Sequence, residues 1–349
     1  MQAVLTKSLC ATAFALAAAC AHAEGVSIYA LLDASIAGTN ISGSGTTANK
    51  TEFVTGGYAP NFIGVTGEKS LEAGVTGGFK LEQGFLLSQP ASGNSRFAFG
   101  DDSLFNRRAY LYIKGPFGTG AIGTQSNIAF DSVLLGDARF GSNYGSSLAA
   151  VVISGGLGTI DNNAVSYTSP TLSGFTVSAS YVPETATVRG GTRMAGSYGA
   201  GPLKATVAYY RTDVIGETET RSGSVVGATY KIGDFDVKGM YVKQKTSTYD
   251  ALTTVGFGGA YFATAKLTFD AGVYRSADSG TDYKMDTVGA GVQYKFVKDL
   301  TAYAQYANVK NNGSTSTPFN FAPPTLLTGS ITTGQTANTF NVGLLYSFF

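Results

Sequence analysis

The last stretch of the chain, residues 339–349, limits the possible folds more than any other segment. Apolar residues alternate there with small or polar ones at a period of two, the pattern of a β-strand with one apolar face. The apolar positions are Phe340, Val342, Leu344, Tyr346 and Phe348. A free edge strand of this kind would promote aggregation. We therefore expect it to be paired on both sides, which requires that it close a barrel against the first strand.

Residues 1–23 are predicted to be a signal peptide that the mature protein lacks. Lys7 is its only charged residue, an apolar run follows, and an A-x-A cleavage pattern at 21–23 precedes Glu24. The apolar run is short for a helix that crosses a membrane. Two alternatives stay open from the residues alone, a retained helical anchor and a lipid-modified N-terminus at Cys20.

Loss of this segment would remove the chain's two cysteines and its one histidine, Cys10, Cys20 and His22. The mature chain would then form no disulfide, no Cys/His zinc site and no histidine-based nucleophile. The whole chain has 24 Lys+Arg against 23 Asp+Glu, and without Lys7 the two sets are equal. Because there is no basic excess, a nucleic-acid partner is not expected. The sequence predicts neither an enzyme nor a bound metal or other cofactor.

Composition favours strands that face lipid on one side and water on the other. The chain has 46 glycines, 20 tyrosines and 22 phenylalanines, and 13% of its residues are charged. That charged share is about half the roughly 25% usual in globular proteins. After residue 23 no apolar run reaches the length of about 18 residues that a spanning helix needs. With no linker or break in composition, we expect one large barrel rather than two soluble domains.

Tight turns alternate with longer connections along the chain. The tight connections are 70–74, 115–118, 169–174, 199–202, 232–234, 263–264 and 297–299. The longer ones are 38–59, 86–104, 126–162, 183–192, 212–222, 245–251, 276–285 and 310–337. Seven hairpins, with the first and last strands, predict sixteen strands. This rhythm is typical of an all-β, transmembrane antiparallel β-barrel with short periplasmic turns and long outer loops, and a soluble β-sandwich is the alternative.

Alternation within single strands predicts which side chains face the lumen. Where Phe79 and Leu81 face lipid, their neighbours must face inward, and the same logic applies to the strands at 26–36 and 108–114. The longest connection with apolar content, 126–162, adds charged residues of its own, because such loops are usually functional. The candidate pore-lining residues are Asp33, Lys80, Glu82, Arg108, Tyr110, Lys114, Asp131, Asp137 and Arg139. The connection could pack inside the barrel or cover its mouth as an outer loop.

Six stretches together resemble the general diffusion porins of Gram-negative outer membranes, of the neisserial and related proteobacterial type. They are residues 28–33, 62–68, 79–85, 105–110, 117–125 and 346–349. The family often has arginine where this chain has Thr66 and Thr124, and its pattern ends on one phenylalanine where this chain has Phe348 and Phe349.

The resemblance implies a homotrimer in the outer membrane, reached through the periplasm, that lets ions and small hydrophilic solutes diffuse passively. It implies contact with membrane lipid and lipopolysaccharide. It also implies that 126–162 folds into the lumen as a constriction loop and that Tyr346, Phe348 and Phe349 form an assembly signal. The alternatives are a substrate-specific sugar or organic-anion channel, and a structural or adhesive barrel with a plugged lumen.

Overall fold

The computed structural model describes residues 25–44, 46–87, 104–185, 190–213, 220–321 and 329–348. The predicted signal peptide and Phe349 lie outside these residues. Most of the predicted connection 86–104 and the middle parts of three others, 183–192, 212–222 and 310–337, also lie outside them. No described helix is long and apolar enough to span a membrane.

The chain forms a closed antiparallel barrel of 16 strands, as predicted. The strands are β1 Val26–Gly43, β2 Thr46–Thr55, β3 Phe62–Ser70, β4 Thr76–Gly84, β5 Arg108–Gly115, β6 Gly118–Ser126, β7 Ile160–Thr168, β8 Phe175–Val182, β9 Gly191–Ala200, β10 Leu203–Asp213, β11 Thr220–Ile232, β12 Phe235–Lys245, β13 Leu252–Phe262, β14 Leu267–Asp278, β15 Tyr283–Val297, β16 Leu300–Asn311, β17 Thr317–Pro318, β18 Ser330–Ile331 and β19 Thr336–Phe348. β2 and β3 share one position in the barrel, since both pair with β1. β17 and β18 form a separate two-stranded piece.

The last strand closes the barrel as its alternation predicts. β19 pairs with β1 on one side and with β16 on the other, and Phe348 lies opposite Ala30. Phe340 is 57% exposed while its neighbour Asn341 is 0% exposed. The exposed face therefore carries the apolar side chains and the buried face the polar ones, the reverse of a soluble sheet and the arrangement expected when lipid surrounds the barrel.

The predicted turns agree with the structure and one predicted loop does not. Each of the seven tight connections joins two strands of the described barrel. The predicted loop at 38–59 is instead mostly strand, because β1 continues to Gly43 and β2 resumes at Thr46. A strand that extends beyond the lipid needs no apolar face, so its Thr, Ser and Asn residues resemble a loop in sequence. Cross-strand contacts between polar side chains hold this extension, among them the 3.0 Å hydrogen bond between Thr39 and Thr339.

The connection between β6 and β7, residues 127–159 and hereafter the β6–β7 segment, contains the main departures from β structure. Asn127 caps the helix α1, Ile128–Gly136, by accepting hydrogen bonds from the backbone amides of Ala129 and Phe130. A π-helical turn follows at Ala149–Ser154. A further short 3₁₀ turn, Glu72–Gly74, lies in the tight connection between β3 and β4.

The β6–β7 segment packs on the polar-bearing face of the later strands. α1 contacts β8 to β12, and Phe130, Val133 and Leu148 join a buried apolar cluster with Tyr210 and Met240. This is the face opposite to the exposed apolar side chains. Small residues let the backbones approach closely. A side chain added at Gly136 would lie 2.7 Å from the carbonyl oxygen of Gly239.

Candidate functional site in the barrel interior

Three cations surround one buried carboxylate, which lies on β4. One cation lies on β4, one begins β5 and one directly precedes β5. Glu82 is 1% exposed and accepts hydrogen bonds from the Tyr29 hydroxyl at 2.8 Å, Arg107 Nε at 3.3 Å and Arg108 Nη1 at 3.2 Å. The Nζ of Lys80 lies 3.5 Å from the same carboxylate. We call Lys80, Arg107 and Arg108 the basic wall. It carries a net positive charge, because one carboxylate offsets only one of its three cations.

Two members of the basic wall keep part of their charge accessible. The side chains of Lys80 and Arg108 are 27% and 30% exposed. Lys80 lies 4.9 Å above the Tyr29 ring, and buried Arg107 lies 4.5 Å from the Phe62 ring. Lys80 and Arg108 therefore keep part of their surface open to solvent, and both are held by the carboxylate of Glu82. Glu82 itself, predicted as pore-lining, is covered by its partners.

Arg107 was missed by the alternation argument because it precedes the first paired residue of β5. Alternation only assigns residues inside a strand, and β5 begins at Arg108. The sequence signal that could have identified Arg107 is its adjacency to Arg108. Two adjacent cations can both bind one lumenal carboxylate on the neighbouring strand.

Tyr110 and Lys114 lie farther along β5. Tyr110 is half-buried, opposite Lys80 in the ladder, with its ring centroid 6.0 Å from that of Tyr112. Lys114 is six residues beyond Arg108, about 20 Å at roughly 3.3 Å per residue. It pairs instead with Glu68 at 2.7 Å, next to the tight turn at Gly115. Lys114, named as a candidate pore-lining residue, therefore lies at the tight-turn end of β5 and is not part of the basic wall.

Asp137, also predicted as pore-lining, has no exposed surface. One of its oxygens accepts from the Arg139 amide at 2.8 Å, the Gly141 amide at 3.2 Å and the Tyr274 hydroxyl at 3.0 Å. The other accepts from the amide and the hydroxyl of Ser147 at 2.9 and 2.5 Å. Because five donors surround the Asp137 carboxylate, its charge is largely compensated and acts little on a passing ion. Asp137 therefore stabilises the fold of the β6–β7 segment.

Arg139 is buried in the same way and anchors the segment to the far strands. Its Nη1 lies 2.8 Å from Asp270 on β14, and both side chains are 0% exposed. Its Nη2 donates to Gln305 on β16 at 2.8 Å. Asp270 therefore meets a cation that sequence alternation could not supply, because Arg139 comes from a connection and not from a neighbouring strand.

Asp131 is the acidic residue of the segment that remains accessible. It lies in the first turn of α1 and accepts a 2.6 Å hydrogen bond from Ser126. The surrounding protein raises the pKa of the Asp131 carboxyl, while that hydrogen bond and the charge of Arg108 lower it. The influence of Arg108 links Asp131 to the basic wall.

Asp33 is fully buried and pins the bend between β2 and β3. It accepts hydrogen bonds from the backbone amides of Tyr58 and Ala59, both at 2.7 Å, and from the Tyr303 hydroxyl at 2.5 Å. Asp33 was named as a candidate pore-lining residue, and the bend covers it. The hydrogen bonds of Asp33 hold residues 56–61 against β1.

Further charged residues inside the barrel lie on strands that the sequence argument did not take residue by residue. Arg193 on β9 pairs with Asp161 on β7 at 2.8 Å, and both are almost fully buried. Lys238 on β12 lies 4.3 Å from the Phe140 ring. Alternation within β9 and β12 would have placed Arg193 and Lys238 inward. No group of three or more potential metal ligands occurs among the described residues.

A closed barrel with apolar side chains outside and a charged interior defines an outer-membrane channel. The chain belongs to the Gram-negative porin family, whose model matches residues 10–314. It is accordingly an outer-membrane protein that forms a diffusion channel, and the family consists of channels rather than enzymes. No curated protein sequence matches the chain.

Solved structures with the same fold come from several bacteria. An anion-selective porin from Comamonas acidovorans is 20% identical, with a TM-score of 0.80 over 93% of this chain and 99% of that one. OmpT of Vibrio cholerae in a trimer form is 18% identical, with a TM-score of 0.66 over 93% and 99%. OmpF of Salmonella typhi in complex with daunomycin is 14% identical, with a TM-score of 0.63 over 93% and 97%.

Proposed function

We propose that this porin is a passive, water-filled pore for ions and small hydrophilic solutes that favours anions. The observation that carries this proposal is the basic wall, where Lys80, Arg107 and Arg108 share the single carboxylate of Glu82. A ring or patch of one charge at a narrow point sets the selectivity of a pore. Selectivity of the same sign is named for the similar porin of Comamonas acidovorans.

The acidic residues of the interior reinforce this preference by being neutralised. Asp137 is enclosed by five donors, Asp270 meets Arg139, and Asp161 meets Arg193. Asp131 is left as the accessible carboxylate of the β6–β7 segment. Buried pairs of this kind contribute little field to the solvent, so the accessible charge near the basic wall is mainly positive.

Residues 126–162, which contain the β6–β7 segment, are proposed to be the constriction loop of the pore. Support comes from its contacts with the inward faces of β8 to β12 and from the anchoring of Arg139 on β14 and β16. A segment fixed on that side would narrow the lumen toward the basic wall. Asp131, which accepts a hydrogen bond from Ser126 at the end of β6, would then lie near Arg108 on the adjacent β5.

The proposal extends to the targeting, assembly and partners of the protein. Residues 1–23 are a cleaved signal peptide, and Tyr346, Phe348 and Phe349 form an assembly signal. The protein is a homotrimer that contacts lipopolysaccharide, catalyses no reaction and transports ions. The similar OmpT structure in a trimer form supports the trimer.

Planar-bilayer recordings test the proposal. Reconstituted protein in a potassium chloride gradient should give stable single-channel conductance and a reversal potential of the sign expected for chloride preference. Absence of conductance would contradict the pore, and a cation-selective reversal potential would contradict the role of the basic wall. An extended β-strand circular dichroism spectrum and a folded band that resists SDS until heating should accompany the active sample.

A further inference from the structure

A cavity of about 260 Å³ lies in the barrel interior beside the tip of the β6–β7 segment, toward the tight-turn end. Its lining combines rings, cations and hydrogen-bonding groups. The residues used below are Tyr58, Phe140, Phe262, Lys266, Gln293 and Lys295. No carboxylate is among the described residues that line it. The lining of the cavity is therefore both aromatic and cationic.

The aromatic side is held in place by elements already described. Phe140 has a left-handed backbone with a φ of 55°, which costs energy for a residue with a Cβ and is kept only where the surroundings enforce it. Its neighbour Arg139 supplies that enforcement through Asp270. Tyr58 lies in the bend pinned by Asp33, and its hydroxyl accepts a 3.1 Å hydrogen bond from Gln293. Two rings are thus positioned in advance of any ligand.

The lysine side chains of the cavity keep positive charge that a ligand could contact. Lys295 is exposed and forms no ion pair with any described residue, and the Nζ of Lys266 makes only a long hydrogen bond, 3.4 Å, to the Phe296 carbonyl oxygen. Lys238 on the Phe140 ring adds a third positive charge nearby. An anion entering the cavity would therefore find cations that are not already neutralised.

We propose that this cavity is a binding subsite for small aromatic carboxylates on their way through the pore. The ring would pack against Phe140, Tyr58 and Phe262, and the carboxylate would meet Lys266 and Lys295. A dry cavity of roughly 150 Å³ accommodates benzene, so 260 Å³ suits one ring, its carboxylate and water. The proposal rests on the proposed function as a pore, because the ligand reaches the cavity through the lumen.

Block of potassium chloride current by benzoate tests the subsite. The half-blocking concentration of benzoate should be roughly tenfold below that of acetate, because only benzoate buries a ring. Inorganic phosphate, which has charge without a ring, should block as weakly as acetate. Equal block by all three anions would mean that charge alone acts, and would overturn the proposal.

Substitutions distinguish benzoate binding in the cavity from a general effect of positive charge in the lumen. K266Q with K295Q should raise the half-blocking benzoate concentration about tenfold, since a charged hydrogen-bond partner is lost. F140A should weaken benzoate block and leave acetate block unchanged. The control is K231Q, which removes an exposed lysine at the tight-turn end of β11 that does not line the cavity. If K231Q weakens benzoate block as much as the double variant, the subsite is refuted.

Failure of the subsite proposal can be distinguished from failure of the proposed pore function. Each variant must first show the parental SDS-resistant band and potassium chloride conductance. Loss of conductance in the parent would refute the proposed function, whereas normal conductance with no preference for benzoate would refute only the subsite.

Discussion

The two sides of the barrel interior carry similar charged side chains in different surroundings. On the basic wall, Lys80 and Arg108 are each nearly one-third exposed and share one carboxylate. Across the interior, Arg139 and Asp270 are fully buried in a one-to-one pair. The first arrangement leaves charge for solutes, and the second uses charge to fix the β6–β7 segment.

This difference separates residues that set a field from residues that set a position. Removing one partner of a buried pair leaves an uncompensated charge and is strongly destabilising, while an exposed pair contributes little to stability. We therefore expect substitutions in the buried pair that fixes the β6–β7 segment to change the structure first. Substitutions on the basic wall should change ion preference while the structure stays intact.

The largest effect is expected from R139A. It leaves Asp270 buried without a cation, and such losses cost about 3–5 kcal/mol. The β6–β7 segment should detach, so single-channel conductance should rise and become noisy, and the folded band should melt at lower temperature on gels. R211A is the matched control, because Arg211 forms an exposed pair with Asp213 at 3.4 Å. Equal behaviour of the two variants would show that the segment is not held by this pair.

G289V tests the close approach of the segment to β15. A side chain added there would overlap the carbonyl oxygen of Gly145 at the segment tip. Overpacking of this kind costs about 1–3 kcal/mol, so melting temperature should fall and conductance should rise by less than in R139A. G196V is the control, since a Cβ at Gly196 meets nothing within 4 Å. A G289V protein that behaves like G196V would mean that the tip moves freely.

K80Q with R108Q is expected to change selectivity without changing structure. Three cations and one carboxylate give the basic wall a charge of +2, and the double variant leaves Arg107 with Glu82 at zero. The reversal potential should move toward cation preference, while the melting temperature changes by little. R275Q, which alters an exposed pair of 3.9 Å with Asp286, should leave the reversal potential unchanged. A parental reversal potential in the double variant would remove the basic wall from the selectivity argument.

The strands could be predicted from sequence because lipid and water impose a period of two over long stretches. That pattern predicted β19 and the seven tight turns. It failed at the 38–59 loop, where β1 and β2 continue as strands with mostly polar residues. A strand without an apolar face has the composition of a loop.

The roles of the inward residues could not be predicted in the same way. Asp33, Asp137 and Arg139 were singled out as pore-lining, yet all three are buried. Asp33 is covered by the bend at 56–61, Asp137 is enclosed mainly by donors of its own segment, and Arg139 packs against β14 and β16. Alternation gives the face of a side chain, and only tertiary contacts decide whether that face is open to water.

A smaller shift in selectivity is expected from D131N. Asp131 is the accessible carboxylate of the segment and lies within the influence of Arg108. Removing its charge should make the pore more selective for anions, with a shift in reversal potential opposite in sign to that of K80Q with R108Q. A shift toward cations, or one as large as that of the double variant, would contradict the assignment of the basic wall as the dominant charge.

K114Q should have the smallest effect, and it tests how local the basic wall is. Lys114 lies about 20 Å along β5 from Arg108, at roughly 3.3 Å per residue. That separation exceeds the Debye length of about 10 Å in 0.1 M salt, so its charge is largely screened at the wall. Its pair with Glu68 is exposed on both sides, which limits its contribution to stability as well. In 0.1 M potassium chloride the reversal potential should stay at the parental value, and it should shift only when the salt is diluted about tenfold, because the Debye length then reaches about 30 Å. A full shift in 0.1 M salt would place the selecting charges at the tight-turn rim instead of beside Glu82.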